Sequence, residues 1–232
     1  MLSVICYGKP LLPEIRPPFT NANNPIVPRP RMKKHFNKIL KSLTPLDFES
    51  FKRARWKVRR EMIELGFWCD RLESCQVWLR TFPERGMWDA YGYQWFGDRE
   101  DGRLVGDIVM PSVSPAMWGN YLRWCHGAKE ATVVDVLRHE YGHAFADANP
   151  RRMNSPKFER AFGYAHESES WEGWTMIHDP DHHVTEYAAT NPMEDFAENF
   201  QLYLKHRGIL PPVHQKAPIR ERWKFIKALR RL

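Results

Sequence analysis

The segment His139-Glu140-Tyr141-Gly142-His143 combines residue types and spacing that suit a water-activating metal site. On a helix, residues four positions apart lie on one face, so His139 and His143 can present imidazole nitrogens to the same ion. Glu140 projects beside this pair, where its carboxylate is placed to hold a metal-bound water instead of binding the metal. The pattern predicts one Zn²⁺ per chain with an open coordination position, which lowers the pKa of the water toward about 7.

A catalytic zinc site needs a third protein ligand in addition to two histidines. One known continuation of the motif, HExxHxxGxxH, supplies that ligand as a third histidine. This chain has Ala146 in place of the glycine of that pattern and Asn149 in place of its third histidine. The metzincin arrangement is therefore excluded, and the third ligand must come from another part of the chain.

The best candidate for the third ligand lies in residues 184–204, VTEYAATNPMEDFAENFQLYL. Asn191 is predicted to cap a helix that has Pro192 at its first position. This places Glu194 in the first helical turn and Glu198 one turn later on the same side. Two roles compete for the Glu194 carboxylate, since it can bind the metal or complete a capping box with Asn191.

Other polar residues bear on the same site. Asp135 and Asp147 bracket the two histidines at four-residue intervals, where a carboxylate either orients a ligand imidazole or forms a helix salt bridge. Glu198 is a further candidate for the orienting role. His166 and the acidic residues after it offer substitute ligands for Glu194; these are Glu167, Glu169 and Glu172. The segment 178–183, HDPDHH, has a metal-like composition, but its proline and adjacent aspartates predict a solvated turn.

Two separate blocks of sequence, HEYGHAFAD at 139–147 and YAATNPMEDFAENF at 187–200, carry a family resemblance. Together they resemble the zinc-peptidase domain of anthrax lethal factor and its relatives, which include the Pro-Pro endopeptidases. The resemblance runs from about residue 130 to the C-terminus and is weak or absent before Ser74. It implies a zincin-like α+β fold, in which a small mixed β-sheet packs on the HExxH helix and a helical C-terminal subdomain follows.

The resemblance also implies a role for each residue of the site. It assigns zinc binding to His139, His143 and Glu194, and it makes Glu140 the general base. In the family, a tyrosine seven residues before the third ligand stabilises the oxyanion, and Tyr187 occupies that position here. The implied function is a zinc-dependent endopeptidase that hydrolyses peptide bonds with a zinc-bound water assisted by Glu140. Its substrate would be a peptide or protein whose sequence the motifs do not define.

The order of elements along the chain predicts helices, then a small sheet, then further helices, which is an α+β layout. Residues 1–30 are predicted to form a Pro-rich extended arm, residues 31–73 a basic helical N-terminal region, and residues 74–232 the metallopeptidase domain. Three short segments rich in β-formers within 74–110 predict three strands. The last of them, at 106–110, is either an exposed edge on which an extended peptide pairs or an interior strand.

Two helices outside the motif also have predicted caps and buried faces. Thr44 is predicted to cap a helix that Gly66 closes. The apolar stripe predicted for that helix consists of Phe48, Phe51, Trp56 and Ile63. The tail from Pro218 is predicted to form a basic amphipathic helix. Its predicted inward-facing residues are Trp223, Ile226 and Leu229.

The net charge of +7 is unevenly distributed along the chain. Residues 29–60 carry twelve basic against two acidic residues, residues 130–200 five against fourteen, and residues 201–232 nine against one. Basic flanks around an acidic block indicate either contact with nucleic acid or another acidic partner, or simply the solvated faces of basic helices. One alternative function is therefore a binding protein that uses these flanks. A second is a zincin that binds peptides without cleaving them.

Composition excludes several classes of protein. A hydrophobic content of 43% is too high for a disordered chain. No apolar run approaches the roughly 20 residues of a membrane-spanning helix, so no membrane span is expected. The first twenty residues lack the pattern of a signal peptide, so a cytoplasmic location is expected, with delivery as a toxin or effector as the alternative. Four cysteines without paired spacing favour a reduced compartment, and a Cys69–Cys75 bridge is the alternative.

Overall fold

The computed structural model describes residues 46–80, 92–94, 105–112, 132–163 and 179–230. Within these ranges the α-helices are α1 (Phe48–Glu64), α2 (Asp70–Glu73), α3 (Val133–Ala148), α4 (Pro150–Met153), α5 (Pro156–Phe162), α6 (Pro192–Lys205) and α7 (Ala217–Ala228). The strands are β1 (Val77–Arg80), β2 (Gly92–Gln94) and β3 (Asp107–Pro111). Short 3₁₀ turns lie at Tyr187–Ala189 and Pro212–His214. Helices and a small sheet along one chain confirm the predicted α+β class.

The three strands form a mixed sheet in the order β1-β3-β2. Strand β1 runs parallel to β3, and β2 runs antiparallel to it. The buried carboxylate of Asp107 holds the first pair together, since it accepts hydrogen bonds from the Gln76 backbone N–H at 3.0 Å and the Trp78 indole at 2.9 Å. Strand β3 is paired on both sides, so the interior-strand interpretation of residues 106–110 is correct and the exposed-edge interpretation is wrong.

Helix α1 differs from its prediction in both its cap and its buried face. The cap is Asp47, whose side chain accepts the backbone N–H groups of Glu49 and Ser50, whereas Thr44 lies outside the described residues. Of the predicted stripe only Phe51 is buried. The other three are exposed over more than half of their surface: Phe48 62%, Trp56 58% and Ile63 52%.

Spacing explains why the predicted stripe of α1 was wrong. The apolar residues that α1 buries against the rest of the molecule are Phe51, Ala54, Val58 and Met62. They are three or four positions apart and therefore line one face of a helix. In the predicted stripe, by contrast, Phe51 and Trp56 are five positions apart and point in different directions.

The core lies among α1, α3 and α6, with the chain after α1 inserted between them. Phe67 contacts Phe145 of α3 edge to face, with ring centroids 5.5 Å apart, and contacts Phe200 of α6 at 5.0 Å. All described residues belong to one compact unit, and α1 shares its core with α3. The predicted domain limits at 30 and 73 remain predictions, and the arm 1–30 lies outside the described residues.

The C-terminal part follows its prediction closely. Asn191 caps α6 with Pro192 at the first position, as predicted. In α7 and at its C-cap, all three residues predicted to face inward are buried: Trp223, Ile226 and Leu229. Arg222 also points inward and pairs with Asp195 of α6 through Nε and Oδ2, 2.6 Å apart. The basic tail is therefore part of the packed molecule.

Cys69 and Cys75 are both free and buried, so the alternative of a bridge between them is wrong. Across the described residues, no helix is both long enough and apolar enough to pass through a membrane.

Candidate metal centre

Helix α3 carries the two histidines, and its start is held by a capping box. The Thr132 hydroxyl accepts the backbone N–H of Asp135 at 3.1 Å, and the Asp135 carboxylate in turn accepts the backbone N–H of Thr132 at 3.4 Å. Asp135 also binds Arg138 and Lys205, at 2.9 and 3.3 Å. The salt-bridge interpretation of Asp135 is thus correct, and the helix reaches His139 with a defined register.

Helix α6 supplies two carboxylates to the same place. Asn191 accepts the backbone N–H of Glu194 at 2.8 Å, which fixes the first turn of the helix. The Glu194 side chain points toward the histidines, with Oε2 3.1 Å from His139 Nε2. The competition between capping and metal binding for this carboxylate is therefore decided by orientation: the backbone of Glu194 serves the cap, and its carboxylate faces α3.

Gly142 allows the two helices to approach this closely. A Cβ at this position would lie 3.1 Å from the Ala197 Cα and 3.4 Å from a Phe200 ring carbon. The first of these contacts is with backbone, which cannot rotate away as a side chain can. The glycine inside the HEYGH motif therefore permits the contact that brings the α6 carboxylates to the α3 imidazoles.

Three ligand atoms converge between α3 and α6. His139 Nε2 lies 3.1 Å from His143 Nε2, and Glu194 Oε2 lies 3.1 Å from the first and 3.3 Å from the second. An ion bound tetrahedrally at about 2.0 Å separates its ligand atoms by about 3.3 Å. The triangle in this protein therefore has the dimensions of one face of a tetrahedral zinc site.

The chemistry of these atoms also suits a cation. Glu194 Oε2 is buried and accepts no well-formed hydrogen bond within the described structure. His139 Nδ1 lies 2.7 Å from Glu198 Oε1, which can only accept, so a neutral His139 carries its proton on Nδ1 and a lone pair on Nε2. Lone pairs that face one another at such distances repel unless a cation lies between them. The residues present fit Zn²⁺.

The pKa values of His139 and Glu194 are shifted because these side chains lie close together. Burial opposes a charged imidazole, but the carboxylates of Glu194 and Glu198 raise the pKa of His139 well above its usual value. Burial likewise opposes the ionised form of Glu194, yet the two imidazoles lower the pKa of this carboxyl far below its usual range. The imidazoles and the carboxylates therefore stabilise each other's charged forms.

Glu198 contacts the outer nitrogen of His139, where an orienting group is expected. Its second oxygen, Oε2, accepts the hydroxyl of Thr185 at 2.7 Å. Thr185 Oγ1 in turn accepts the backbone N–H of Ala188 at 3.0 Å. Thr185 was not predicted from the sequence. The available signal was a threonine two residues before a short turn, a position from which the hydroxyl can bind a backbone N–H three residues later.

Tyr187 lies at the start of the 3₁₀ turn and beside His139. The centroids of the two rings are 5.7 Å apart, and half of the Tyr187 surface is exposed. Crowding of the hydroxyl by protein atoms and the nearby charges of Glu194 and Glu140 raise the pKa of Tyr187 well above its usual value. The structure thus brings a protonated phenol next to the imidazole of His139, on a side that opens to solvent.

Glu140 and Asp147 occupy two other positions on α3. A carboxylate oxygen of Glu140 lies within 4.8 Å of a ligand nitrogen of each histidine. Asp147 is one turn beyond His143 and half-buried, and its orienting role remains a prediction. Glu140 thus lies near the candidate ligand atoms, at the place that a general base would require.

The described part of the HDPDHH segment, residues 179–183, forms the predicted turn. Asp179 accepts the backbone N–H of Asp181 at 2.9 Å and lies 2.6 Å from His182 Nδ1. Asp181 and His182 are exposed. His178 and the substitute ligands at 166–172 lie outside the described residues.

Comparison with known proteins identifies no relative. No protein-family model, curated protein or solved structure matches the chain. The resemblance to the lethal factor family therefore depends on the two sequence blocks, and the case for the site depends on the geometry of this chain.

Proposed function

We propose that this protein is a zinc-dependent endopeptidase. The observation that carries the proposal is the convergence of His139 Nε2, His143 Nε2 and Glu194 Oε2 at mutual distances of 3.1–3.3 Å. These three atoms would hold the metal. Two histidines and one glutamate are an established ligand set for catalytic zinc, which leaves a coordination position for water or substrate.

When bound, Zn²⁺ would polarise a substrate carbonyl and lower the pKa of a water molecule to about 7. Glu140 takes the proton of the attacking water, because its carboxylate lies within 4.8 Å of the ligand nitrogens and is not needed to complete the ligand triangle. The same carboxyl then donates that proton to the leaving amine. One side chain thus acts first as a base and then as an acid.

Tyr187 supplies the hydrogen bond that the developing oxyanion needs. Its raised pKa keeps the phenol protonated at neutral pH, so the hydroxyl remains a donor. A preorganised donor of this kind stabilises the charge that appears only in the transition state. The half-exposed position of the ring lets a substrate approach from solvent.

Both alternative functions lack such a specific observation. A peptide-binding zincin without turnover has no need of Glu140 and Tyr187 beside the ligand triangle. The binding of an acidic partner through the basic flanks remains a prediction, and several cations of α1 already have carboxylate neighbours. These pairs are Lys52–Glu49, Arg53–Asp47 and Arg60–Glu64.

The first test is zinc stoichiometry of the purified full chain beside two ligand variants. We expect about one zinc per wild-type chain, and His139→Ala and Glu194→Ala to lose most of it. Lys227→Met on the exposed face of α7 is the matched control and should keep its zinc. A wild-type chain that takes up no zinc after reconstitution contradicts the proposal.

The second test is cleavage of a peptide library by the zinc-loaded protein. Glu140→Gln should retain zinc and lose at least 10²-fold of the cleavage rate, since it removes the base but not the ligands. Cleavage that is equal in the wild type and in this variant would indicate a contaminating protease. Zinc binding without cleavage of any peptide would favour the peptide-binding alternative.

A further inference from the structure

A continuous series of hydrogen bonds connects the metal-binding imidazole of His139 to the turn that carries Tyr187. It runs from His139 Nδ1 to Glu198 Oε1 at 2.7 Å, and from Glu198 Oε2 to Thr185 Oγ1 at 2.7 Å. It ends where Thr185 Oγ1 meets the backbone N–H of Ala188 at 3.0 Å. These contacts join α3, α6 and the 3₁₀ turn.

The direction of each hydrogen bond follows from the groups involved. The backbone N–H of Ala188 can only donate, so Thr185 Oγ1 accepts there and directs its own single proton to Glu198. The Glu198 carboxylate can only accept, so its other oxygen accepts a hydrogen bond from the Nδ1–H of His139. The Nε2 lone pair of a neutral His139 then points at the other two atoms of the ligand triangle. Glu198 thus sets the tautomer of His139, and Thr185, itself held by a backbone N–H, holds the Glu198 carboxylate in place.

The same threonine also fixes the turn at its other end. Ala188 is buried with 1% of its surface exposed, so the turn is anchored in the core. Tyr187 precedes Ala188 directly and has its ring 5.7 Å from His139. A change in the contact between Thr185 and Ala188 would therefore move the phenol relative to the metal-binding group.

We propose that Thr185 is a positioning residue that sets both the orientation of the metal ligand His139 and the placement of Tyr187. The inference rests on the proposed zinc site and adds to it a residue that touches neither metal nor substrate. The inference depends on one hydroxyl group, which donates a hydrogen bond to Glu198 and accepts one from a backbone N–H of the turn that carries Tyr187. Loss of that hydroxyl leaves Glu198 without this donor and the Ala188 N–H without this acceptor.

The test compares three variants of the full chain for their affinity for Zn²⁺, measured by competition with a chromophoric chelator. Thr185→Val keeps the shape of the side chain but removes the hydroxyl, and we expect it to weaken zinc binding about 10- to 100-fold. Thr185→Ser restores the hydroxyl and should restore the affinity. Thr190→Val is the control, since its exposed hydroxyl also binds this turn, at the Tyr187 carbonyl, but does not contact Glu198.

Two further readouts separate positioning from a general loss of structure. The visible absorption spectrum of the Co²⁺-substituted protein reports ligand geometry, and only Thr185→Val should change it. In a Glu198→Gln background, Thr185→Val should cause little additional loss of affinity, because the two residues act in one series. A further tenfold loss in that background would show that Thr185 acts by another route and would overturn the inference.

The outcomes for this inference and for the proposed function can be distinguished. If the wild-type chain binds zinc and Thr185→Val binds it equally well with an unchanged Co²⁺ spectrum, the inference is wrong and the enzyme proposal stands. If Thr190→Val weakens binding as much as Thr185→Val, the effect belongs to turn stability and the inference is also wrong. A wild-type chain that binds neither Zn²⁺ nor Co²⁺ overturns both.

Discussion

Glu194 and Glu198 lie one turn apart on α6 and contact opposite nitrogens of the same imidazole, that of His139. Their surroundings give them different tasks. Glu194 Oε2 also faces His143, so it belongs to the ligand triangle, whereas Glu198 accepts a hydrogen bond from the Thr185 hydroxyl. Residue type alone therefore does not separate a metal ligand from its orienting neighbour, and the second contact of each carboxylate does.

This difference predicts unequal effects of the same substitution. Glu194→Gln removes a charged ligand and should abolish measurable zinc binding. Glu198→Gln should weaken zinc binding only about 10- to 100-fold, as expected for a group that orients a ligand. Chelator competition measures both affinities, and Glu221→Gln on the exposed surface of α7 is the control. Equal losses for the two site variants would contradict the assignment.

A substitution at Tyr187 tests the turnover rate while the proposed zinc ligands stay in place. Tyr187→Phe removes the hydroxyl and keeps the ring, so zinc content should stay at the wild-type level. We expect kcat for peptide cleavage to fall about 10²- to 10³-fold with little change in KM, because the lost hydrogen bond acts mainly on the oxyanion. A variant with wild-type kcat would show that the phenol has no part in the reaction.

At the scale of elements, the site depends on how closely α3 and α6 approach each other. The histidines are carried by one helix and the carboxylates by the other, and Gly142 lies where the helices touch. Only the absence of a side chain at Gly142 leaves room for the Ala197 backbone. Ligand geometry is therefore a property of the helix pair as well as of the side chains.

Gly142→Ala should separate folding from metal binding. Alanine favours a helix over glycine by about 1 kcal/mol, and this gain offsets much of the about 1–3 kcal/mol that crowding costs. We therefore expect a small change in the free energy of unfolding of the metal-free protein but a clear loss of zinc affinity, because α6 must shift by a few tenths of an ångström. Urea unfolding with a chelator and zinc titration measure the two quantities. Unchanged zinc affinity would contradict this account.

A second contact between elements is the buried ionic network of Arg138. This guanidinium binds Glu61 of α1 through two hydrogen bonds of 2.8 Å and Asp135 of α3 through one of 2.9 Å. Burial opposes the ionised form of Asp135, but hydrogen bonds from Thr132 and the charge of Lys205 lower the pKa of this carboxyl. Asp135 therefore contributes stability while it is ionised.

The sign of this shift determines the dependence on pH. A carboxyl whose folded-state pKa is lowered stabilises the fold above its ordinary pKa of about 4 and loses that contribution as the pH falls through the folded-state value. Asp135→Asn should lower the free energy of unfolding by about 1–3 kcal/mol at pH 7. The difference from the wild type should shrink toward pH 3. Urea unfolding from pH 3 to 7 measures it, and a difference that is constant with pH would be inconsistent with an ionised Asp135.

On the scale of the whole molecule, the basic tail that appeared to be a flank is part of the support of the site. Arg222 of α7 and Asp195 of α6 form an ion pair whose side chains are only 6% and 3% exposed. Asp195 directly follows Glu194, so the tail helix holds the backbone next to a residue of the proposed zinc site. Charge distribution indicated either an acidic partner or a solvated face for this segment, and the structure shows that one of its cations, Arg222, pairs within the molecule.

Burial raises the pKa of Asp195 to about 7 even with Arg222 beside it, so removal of Arg222 leaves a buried carboxyl that must either take up a proton or remain charged without a partner. Arg222→Met should therefore lower the free energy of unfolding by about 3–5 kcal/mol. Lys227→Met on the exposed face of the same helix is the matched control and should change it by less than about 0.5 kcal/mol. Thermal and urea unfolding of both variants measure the effect. Equal stability of the two would contradict the structural role of the tail.

Some features of the fold and of the site could be predicted from the sequence and others could not, for physical reasons. The histidine pair was predictable because helix periodicity relates residues four apart, and the cap of α6 was predictable because Asn191-Pro192 is a strong local signal. The direction of the Glu194 carboxylate was not, since local capping and a distant metal site both suit it. Thr185 was missed because its contact to Glu198 depends on how the turn packs against α6.

The positions of the ligands along the chain have a consequence for the metal ion itself. His143 and Glu194 are about 50 residues apart in sequence, so an ion bound to both cross-links two distant points of the chain. In the chain-entropy description, a cross-link that closes a loop of this length restricts the unfolded ensemble by about 4 kcal/mol, as a disulfide would. Zinc would then act as a reversible cross-link in this protein, which has few cysteines. Chelation would release the loop to proteases before the rest of the fold opens.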